Sequence, residues 1–194
     1  MNHLEAIDAG LLAKRSHNEI ARKIFLTYPT SAFIGDEERQ YDILDEVAQH
    51  FNIPITSVQA AGSAKIGYSL HKNRSFTAGE SDLDLSIIDA QLFAKYLGLG
   101  METSKGYSDN TVFSIRGSQT ARDEYLRYLA KGIFRPDLMP IGKARAAWNN
   151  FFGRLSLKHS DRFKSISAAI YLSQPCFEFK QRSVIKARSA VGIL

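Results

Sequence analysis

Residues 81–87 alternate between polar and apolar side chains, and this alternation constrains the fold more than any other feature of the chain. Leu83, Leu85 and Ile87 occupy every second position, with Asp82 and Asp84 between them. A period of two is that of a β-strand with one apolar and one polar face. The segment therefore predicts a strand that rests its leucines on a core and presents both carboxylates on the opposite face.

The rest of the chain predicts helices around this strand. Apolar residues recur at helical spacing over residues 18–28, 36–51 and 121–130, and residues 57–61 predict a second, short strand. Residues 141–194 are predicted to be mainly helical, with one apolar face around Trp148 and another around Phe163, Ile166 and Ile170. We therefore expect an α+β protein with its core and N-terminal helices in residues 1–140. A basic helical C-terminal segment, residues 141–194, is expected to pack on that core.

Charge and composition limit the classes of function. Residues 1–130 carry 13 Lys or Arg against 17 Asp or Glu, whereas residues 131–194 carry 12 against 3. The basic segment is typical of a phosphate-binding surface, but also of a solvated face beside an acidic part. The single cysteine, Cys176, excludes a cysteine zinc cluster. No apolar run approaches the roughly 18 residues of a membrane span, and the acidic start is unlike a signal peptide, so we expect a cytoplasmic protein without a membrane partner.

A Gly-Ser pair follows the strand predicted over residues 57–61. Gly62 lets a phosphate approach the backbone closely, and Ser63 adds a hydroxyl group to the free N–H groups at the start of a helix. Lys65 follows within the same turn, and Lys72 and Arg74 lie in the polar loop after it. The segment thus predicts a phosphate-binding turn with Gly62, Ser63 and Lys65 as binding residues, although Gly-Ser pairs also occur in ordinary turns.

Two carboxylates on one face of a strand repel each other unless a cation lies between them. Mg²⁺ takes oxygen ligands and completes its shell with water and substrate phosphates. Asp82 and Asp84 are therefore predicted ligands of Mg²⁺ or Mn²⁺. A solvent-facing strand without any function can show the same alternation.

In their order along the chain, GSAKIG at residues 62–67 and SDLDL at residues 81–85 resemble the signature of the DNA polymerase beta-like nucleotidyltransferase superfamily, as in bacterial nucleotidyltransferase-domain proteins. The resemblance covers residues 57–89 and implies a small mixed sheet flanked by helices. In that superfamily the Gly-Ser turn binds a triphosphate, and the two aspartates hold two metal ions for in-line attack on the alpha phosphate. Carried over, Ser63 would contact phosphate, and Asp82 and Asp84 would be catalytic metal ligands.

The superfamily also uses a third carboxylate, usually on a neighbouring strand. FRPDLMP at residues 134–140 resembles the pattern around this aspartate in cyclic-oligonucleotide and oligoadenylate synthase relatives, which makes Asp137 the first candidate for a third catalytic metal ligand. Pro136 argues against a regular central strand at this point. Glu178 is the second candidate, and Asp137 is equally suited to a turn.

The resemblance implies a Mg²⁺-dependent nucleotidyltransferase that moves a nucleoside monophosphate from a nucleoside triphosphate to an acceptor hydroxyl group. The alternative is a catalytically silent domain of the same type that binds a nucleotide, a nucleic acid or a partner protein. A structural protein in which the two motifs match by chance is the third interpretation. The sequence leaves the acceptor open between a nucleic acid, a protein and a small molecule, and it does not give the base preference or the oligomeric state.

Overall fold

A computed structural model of the chain describes residues 2–70, 72–116 and 119–190. Three helices precede the first strand, and helices and short strands are mixed along the rest of the described residues. In chain order they are α1 (His3–Leu12), α2 (His17–Arg22), α3 (Glu37–Phe51), β1 (Val58–Ala61), α4 (Gly62–Ile66), β2 (Tyr68–Ser69), β3 (Arg74–Ser75), β4 (Leu83–Ile88), α5 (Ala90–Thr103), β5 (Ile115–Arg116), β6 (Gln119–Thr120), α6 (Ala121–Leu129), β7 (Ile133–Phe134), α7 (Lys143–Lys158), β8 (Ile166–Tyr171) and α8 (Gln174–Ala190).

The main sheet is small and mixed, in the order β1-β4-β8-β7. β1 pairs with β4 and β7 pairs with β8 in antiparallel orientation, whereas β4 and β8 run parallel. Two separate hairpins are formed by β2 with β3 and by β5 with β6. The predicted α+β fold is therefore confirmed.

Helices cover both faces of this sheet. Leu83, Leu85 and Ile87 of β4 belong to a large core cluster that also contains Val47 of α3 and Leu155 of α7. Burial of such apolar side chains stabilises the folded state by about 1.5–3 kcal/mol per residue. On the other face, a second cluster joins Tyr171 of β8 to residues of α1, α2 and α8, among them Ile7, Phe25, Phe177 and Ile185. Asp84 lies at the open end of the sheet and is exposed.

One predicted element is wrong. The segment containing Ile166 and Ile170 is not a helix but strand β8, which lies between β4 and β7. Ile166, Ala168 and Ile170 are buried at every second position, but Ala169 and Tyr171 between and after them are apolar too, so this short run overlaps with the pattern of a helix. β8 is therefore a central strand of the main sheet, and its residues Ile166, Ala168 and Ile170 belong to the large core cluster.

The other predicted elements that frame the site are confirmed. α3, β1, β4, α6 and α7 lie where the periodicity of the sequence predicts them, within a few residues at their ends. None of the helices within the described residues combines the length and the apolar character that a membrane span requires.

Candidate functional site

The Gly-Ser turn and the aspartate pair meet at one edge of the sheet. β1 and β4 pair so that Ala61 lies opposite Asp84, which places Gly62 directly beside this carboxylate. Gly62 has a φ of +61°, and a Cβ atom added to it would lie 2.5 Å from Oδ2 of Asp84. The backbone conformation therefore favours glycine at this position, and any larger residue would displace the carboxylate of Asp84.

Hydroxyl groups of the neighbouring strand orient the two aspartates. Ser165 Oγ donates a hydrogen bond of 2.8 Å to Oδ1 of Asp82. Ser167 Oγ donates a longer hydrogen bond, of 3.4 Å, to Oδ1 of Asp84. Ser167 is the register partner of Asp84 across the parallel β4–β8 pair. The strand adjacent to the aspartates thus carries hydroxyl groups at the positions nearest to the pair.

The backbone around Asp82 is fixed on both sides. The N–H group of Lys164 donates to the carbonyl of Ser81 at 3.0 Å, and the N–H group of Leu83 donates to the carbonyl of Ser165 at 2.8 Å. Ser81 is buried, and its hydroxyl group accepts a hydrogen bond from the N–H group of Thr77. Asp82 therefore enters the site from a rigid strand end, although it precedes the first residue of β4.

The aspartate pair carries an electrostatic cost that its neighbours only partly offset. Solvent reaches the side chain of Asp84, but the protein groups packed around its carboxylate desolvate it and raise its pKa, and the neighbouring charge of Asp82 raises it further. The positive charges of Lys72 and Arg135 act on the pKa of Asp84 in the opposite direction, with a smaller effect. A cation bound to the pair would remove the repulsion between the two carboxylates.

The Gly-Ser turn and both aspartates line a polar cleft of about 140 Å³. The β2–β3 hairpin also lines the cleft and contributes two exposed cations, which the sequence placed in a loop after the turn. Carboxylates and cations therefore line the same cleft. The cleft is lined by the Gly-Ser turn, Gly62 and Ser63, and by four charged residues, which are Lys72, Arg74, Asp82 and Asp84.

Lys65 does not point into this cleft, contrary to its predicted place in the phosphate-binding turn. Its side chain is 3% exposed, and its Nζ donates a hydrogen bond of 2.6 Å to the carbonyl of Tyr28. Residues two positions apart in a helix do not share a face, so Lys65 and Ser63 point in different directions from α4. Burial lowers the pKa of Lys65 to about 8.

Asp137 is held by another residue. Nε and Nη2 of Arg135 donate to its two carboxylate oxygens at 2.8 and 2.7 Å. β7 ends at Phe134, so Asp137 lies in the following turn and not on a strand beside the pair. No three His, Cys, Asp or Glu side chains within the described ranges are grouped closely enough to hold a metal ion, so the structure does not assemble Asp82, Asp84 and Asp137 into the expected set.

Glu178, the second candidate, is part of the packing between helices. It lies on α8, is 2% exposed, and accepts two hydrogen bonds from Arg22 of α2 at 2.7 and 3.0 Å. Gln174 donates a further bond of 2.7 Å to the same carboxylate. The hydrogen bond from Arg22 holds the pKa of Glu178 below its usual value. These contacts account for the buried carboxylate without any ligand.

Ser165, just before β8, and Ser167 of β8 are the site residues that sequence reasoning missed. Ser165, Ile166 and Ser167 alternate between polar and apolar over three residues only, a much shorter pattern than the one that identified Asp82 and Asp84. The prediction of a helix through this segment concealed the alternation. Ser165 and Ser167 gain significance only from the pairing of β8 with β4, which brings distant parts of the chain together.

Comparison with known proteins does not extend this description. No protein-family model matches the sequence, and the searches of curated proteins and of solved structures gave no significant match either.

Proposed function

We propose that the cleft binds a nucleoside triphosphate together with a divalent cation and transfers its nucleoside monophosphate to an acceptor hydroxyl group. The observation that carries the proposal is the close approach of Gly62 to the carboxylate of Asp84. A glycine turn, a serine hydroxyl group, two carboxylates and two cations share one small cleft. This combination suits a polyanion that binds with a metal ion.

The residues of the cleft fit a hard divalent cation. Mg²⁺ is usually held by one or two carboxylates and takes its remaining ligands from water and phosphate oxygens, so Asp82 and Asp84 would be its protein ligands. The raised pKa of Asp84 supports this assignment: desolvation is its larger cause, and the charge of Asp82 adds a repulsion that a bound cation would relieve. When bound, the cation would neutralise negative charge on the transferred phosphoryl group.

The other residues of the cleft have separate tasks in this proposal. Gly62 and Ser63 offer backbone N–H groups and a hydroxyl group to phosphate oxygens, while Lys72 and Arg74, which line the same cleft, balance the charge of the triphosphate. In the transfer, the acceptor oxygen forms a bond to the alpha phosphorus and loses its proton to solvent. The bond from that phosphorus to the bridging oxygen breaks, and pyrophosphate leaves.

The test uses the full chain with each of the four NTPs, labelled at the alpha phosphate, and with Mg²⁺ or Mn²⁺. The Asp82→Asn/Asp84→Asn variant preserves the shape of both side chains but removes their charge. Asp42→Asn, on the exposed surface of α3, is the matched control. We expect metal-dependent binding of NTP and transfer of label to an acceptor by the wild type and by Asp42→Asn, and neither activity in the double variant.

The outcomes separate the interpretations. Binding of NTP that needs both the metal and the aspartates, without transfer to protein, tRNA, nucleotide or water, supports the silent domain. Absence of metal-dependent NTP binding in a folded wild-type protein would contradict both forms of the proposal. A double variant that transfers label as well as the wild type would place the chemistry elsewhere in the molecule.

A second candidate, a domain that binds the nucleotide without transferring it, is favoured by one specific observation. The strand next to the aspartates carries Ser165 and Ser167, and the carboxylate of Asp137 is paired with Arg135. A serine hydroxyl group is a poor base for an attacking acceptor, so transfer would be slow without a third carboxylate. The two candidates share the binding site and differ only in the chemical step.

The Ser167→Asp variant tests whether a cation binds at Asp84. Ser167 is the register partner of Asp84, so an aspartate there adds a third carboxylate beside the pair. We expect this variant to be less stable than the wild type without divalent cations and to gain more in Tm on addition of Mg²⁺, because three like charges need a cation more than two do. Thermal melts with and without Mg²⁺ measure both effects. An equal Mg²⁺-induced shift in the two proteins would argue against a cation at Asp84.

A further inference from the structure

A second, larger cavity continues from the triphosphate cleft. It has a volume of about 750 Å³, shares Gly62 and Asp84 with the cleft, and extends along β8 between α7 and α8. Trp148 and Phe152 of α7 form part of its apolar wall. A molecule with its phosphates at Gly62 would therefore direct its remaining part into this groove.

The groove follows a strand edge that is only partly paired. The N–H group of Leu83 donates to the carbonyl of Ser165, which determines which backbone groups of β8 bond to β4. The N–H and C=O groups of residues 165, 167, 169 and 171 face β4. Those of Ile166, Ala168 and Ile170 face away from β4. Ile170 pairs with Phe134 of β7. Ser156 Oγ accepts a hydrogen bond from the N–H group of Ile166 at 2.8 Å and lies 3.3 Å from its carbonyl.

Between these two covered positions lies Ala168. Among the described residues, nothing hydrogen-bonds to its outward N–H and C=O groups, although Ala168 lines the groove. If β7 continued in its register, residue 136 would lie opposite Ala168. Residue 136 is a proline, which has no N–H group to donate, and β7 ends two residues before it. The sequence itself thus keeps this edge open.

Gln181 of α8 adds an unpaired amide to the same groove. Its side chain is 6% exposed and lines the cavity, yet its carboxamide has no hydrogen-bond partner in the part of the chain that the structure describes. Its amide atoms are not among the fully buried side-chain atoms that lack a partner in the described residues, so they remain reachable from the groove. Gln181 and the edge of Ala168 therefore present both donors and acceptors inside a largely apolar space.

We propose, on the basis of the function proposed above, that this groove holds the nucleobase of the bound nucleotide and that Ala168 and Gln181 read its hydrogen-bonding edge. A nucleobase is planar and apolar on its faces, and its edge alternates donors and acceptors. Asp84 pairs with Ser167, the residue before Ala168, and strands lie about 4.8 Å apart with a rise of about 3.3 Å per residue. The open edge is thus within one nucleotide's length of the aspartate that would bind the metal ion.

The test compares ligands with and without a base. Mg²⁺-dependent binding of the four NTPs and of inorganic tripolyphosphate is measured by calorimetry for the full chain, for Gln181→Leu and for Gln174→Leu. Gln174 is on the same helix but outside the groove, where it bonds to Glu178. We expect at least one NTP to bind the wild type more tightly than tripolyphosphate. Gln181→Leu should lose roughly tenfold of that NTP affinity and keep its affinity for tripolyphosphate, while Gln174→Leu changes neither.

Thermal melts of the same variants report on folding. Because the Gln181 amide has no hydrogen-bond partner to lose, the Tm of Gln181→Leu should stay close to that of the wild type, which would separate its loss of binding from any loss of stability. If every NTP binds no more tightly than tripolyphosphate and Gln181→Leu has no effect, the groove does not hold the base, although the triphosphate site stands. Equal losses for NTP and tripolyphosphate would also overturn the inference. If neither ligand binds with the metal, the proposed function fails together with it.

Discussion

The Gly62→Ala variant is expected to lose about 100-fold in the rate of nucleotidyl transfer, and Mg²⁺-dependent NTP binding with it, while it still folds. An alanine Cβ would lie 2.5 Å from Oδ2 of Asp84, so the carboxylate has to move away from the turn. A displacement of about 1 Å in a group that positions a reacting phosphate is enough for an effect of this size. Label transfer and calorimetric binding of NTP measure it.

Gly67→Ala is the matched control for the backbone strain. Gly67 ends the same short helix, has a φ of +79°, and its added Cβ would lie 2.7 Å from Oγ of Ser31, away from the carboxylates. Both substitutions force alanine into the left-handed region, at a cost of about 1–2 kcal/mol each. Their Tm values should therefore fall by similar amounts, and only Gly62→Ala should lose function. Equal losses of transfer or binding would show that the contact between Gly62 and Asp84 has no special role.

The local part of the site could be predicted from the sequence. Strand β4 and the common direction of Asp82 and Asp84 follow from a period of two, and Gly62 marks a backbone conformation that other residues rarely adopt. What the sequence could not give is the register of β1 against β4, which places Ala61 opposite Asp84. That register depends on how the two strands pack on the common core, so it is a property of the whole fold.

The parts of the site that the sequence did not reveal depend on contacts between distant segments. Ser167 became part of the site only because β8 lies parallel to β4, and a short strand with apolar residues at both parities cannot be told from a helix by its pattern. Asp137 was assigned from a motif, but the charge two residues before it, Arg135, holds its carboxylate in the turn. Motifs and periodicity therefore predicted the aspartates that lie close together in the sequence. Their contacts with residues of other strands could be found only from the structure.

Lys65 illustrates a prediction that helical geometry alone should have corrected. Successive residues of a helix are rotated by about 100°, so Lys65 points about 200° away from Ser63. Its ammonium group is directed to the carbonyl of Tyr28 in the protein interior. The Lys65→Met variant should therefore bind NTP with Mg²⁺ as the wild type does, whereas a residue of the phosphate-binding turn would lose affinity on the same change.

The same variant is expected to change how stability depends on pH. Burial lowers the pKa of Lys65 to about 8 in the folded protein, against about 10.4 in an unfolded chain. Between these values the unfolded state binds the proton and the folded state does not, so the free energy of unfolding rises with pH from about 8 to about 10.4. Below pH 8 the full cost of burying the charge, about 3 kcal/mol, is present. His3 is a titratable neighbour whose pKa is affected by the charge of Lys65. Burial lowers the pKa of His3, and the charge of Lys65 lowers it further, so His3 stays neutral throughout this range.

Lys65→Met removes that cost together with the hydrogen bond to Tyr28, which contributes about 1 kcal/mol. At pH 7 the variant should therefore be more stable than the wild type by about 2 kcal/mol, a rise in Tm of roughly 4–8 °C. At pH 10 this advantage should disappear, because the folded wild type has already lost the proton. Thermal melts from pH 7 to 10 measure the trend, with Lys143→Met on the exposed start of α7 as the control. A constant difference between Lys65→Met and the wild type across this range would mean that Lys65 keeps its charge in the folded protein.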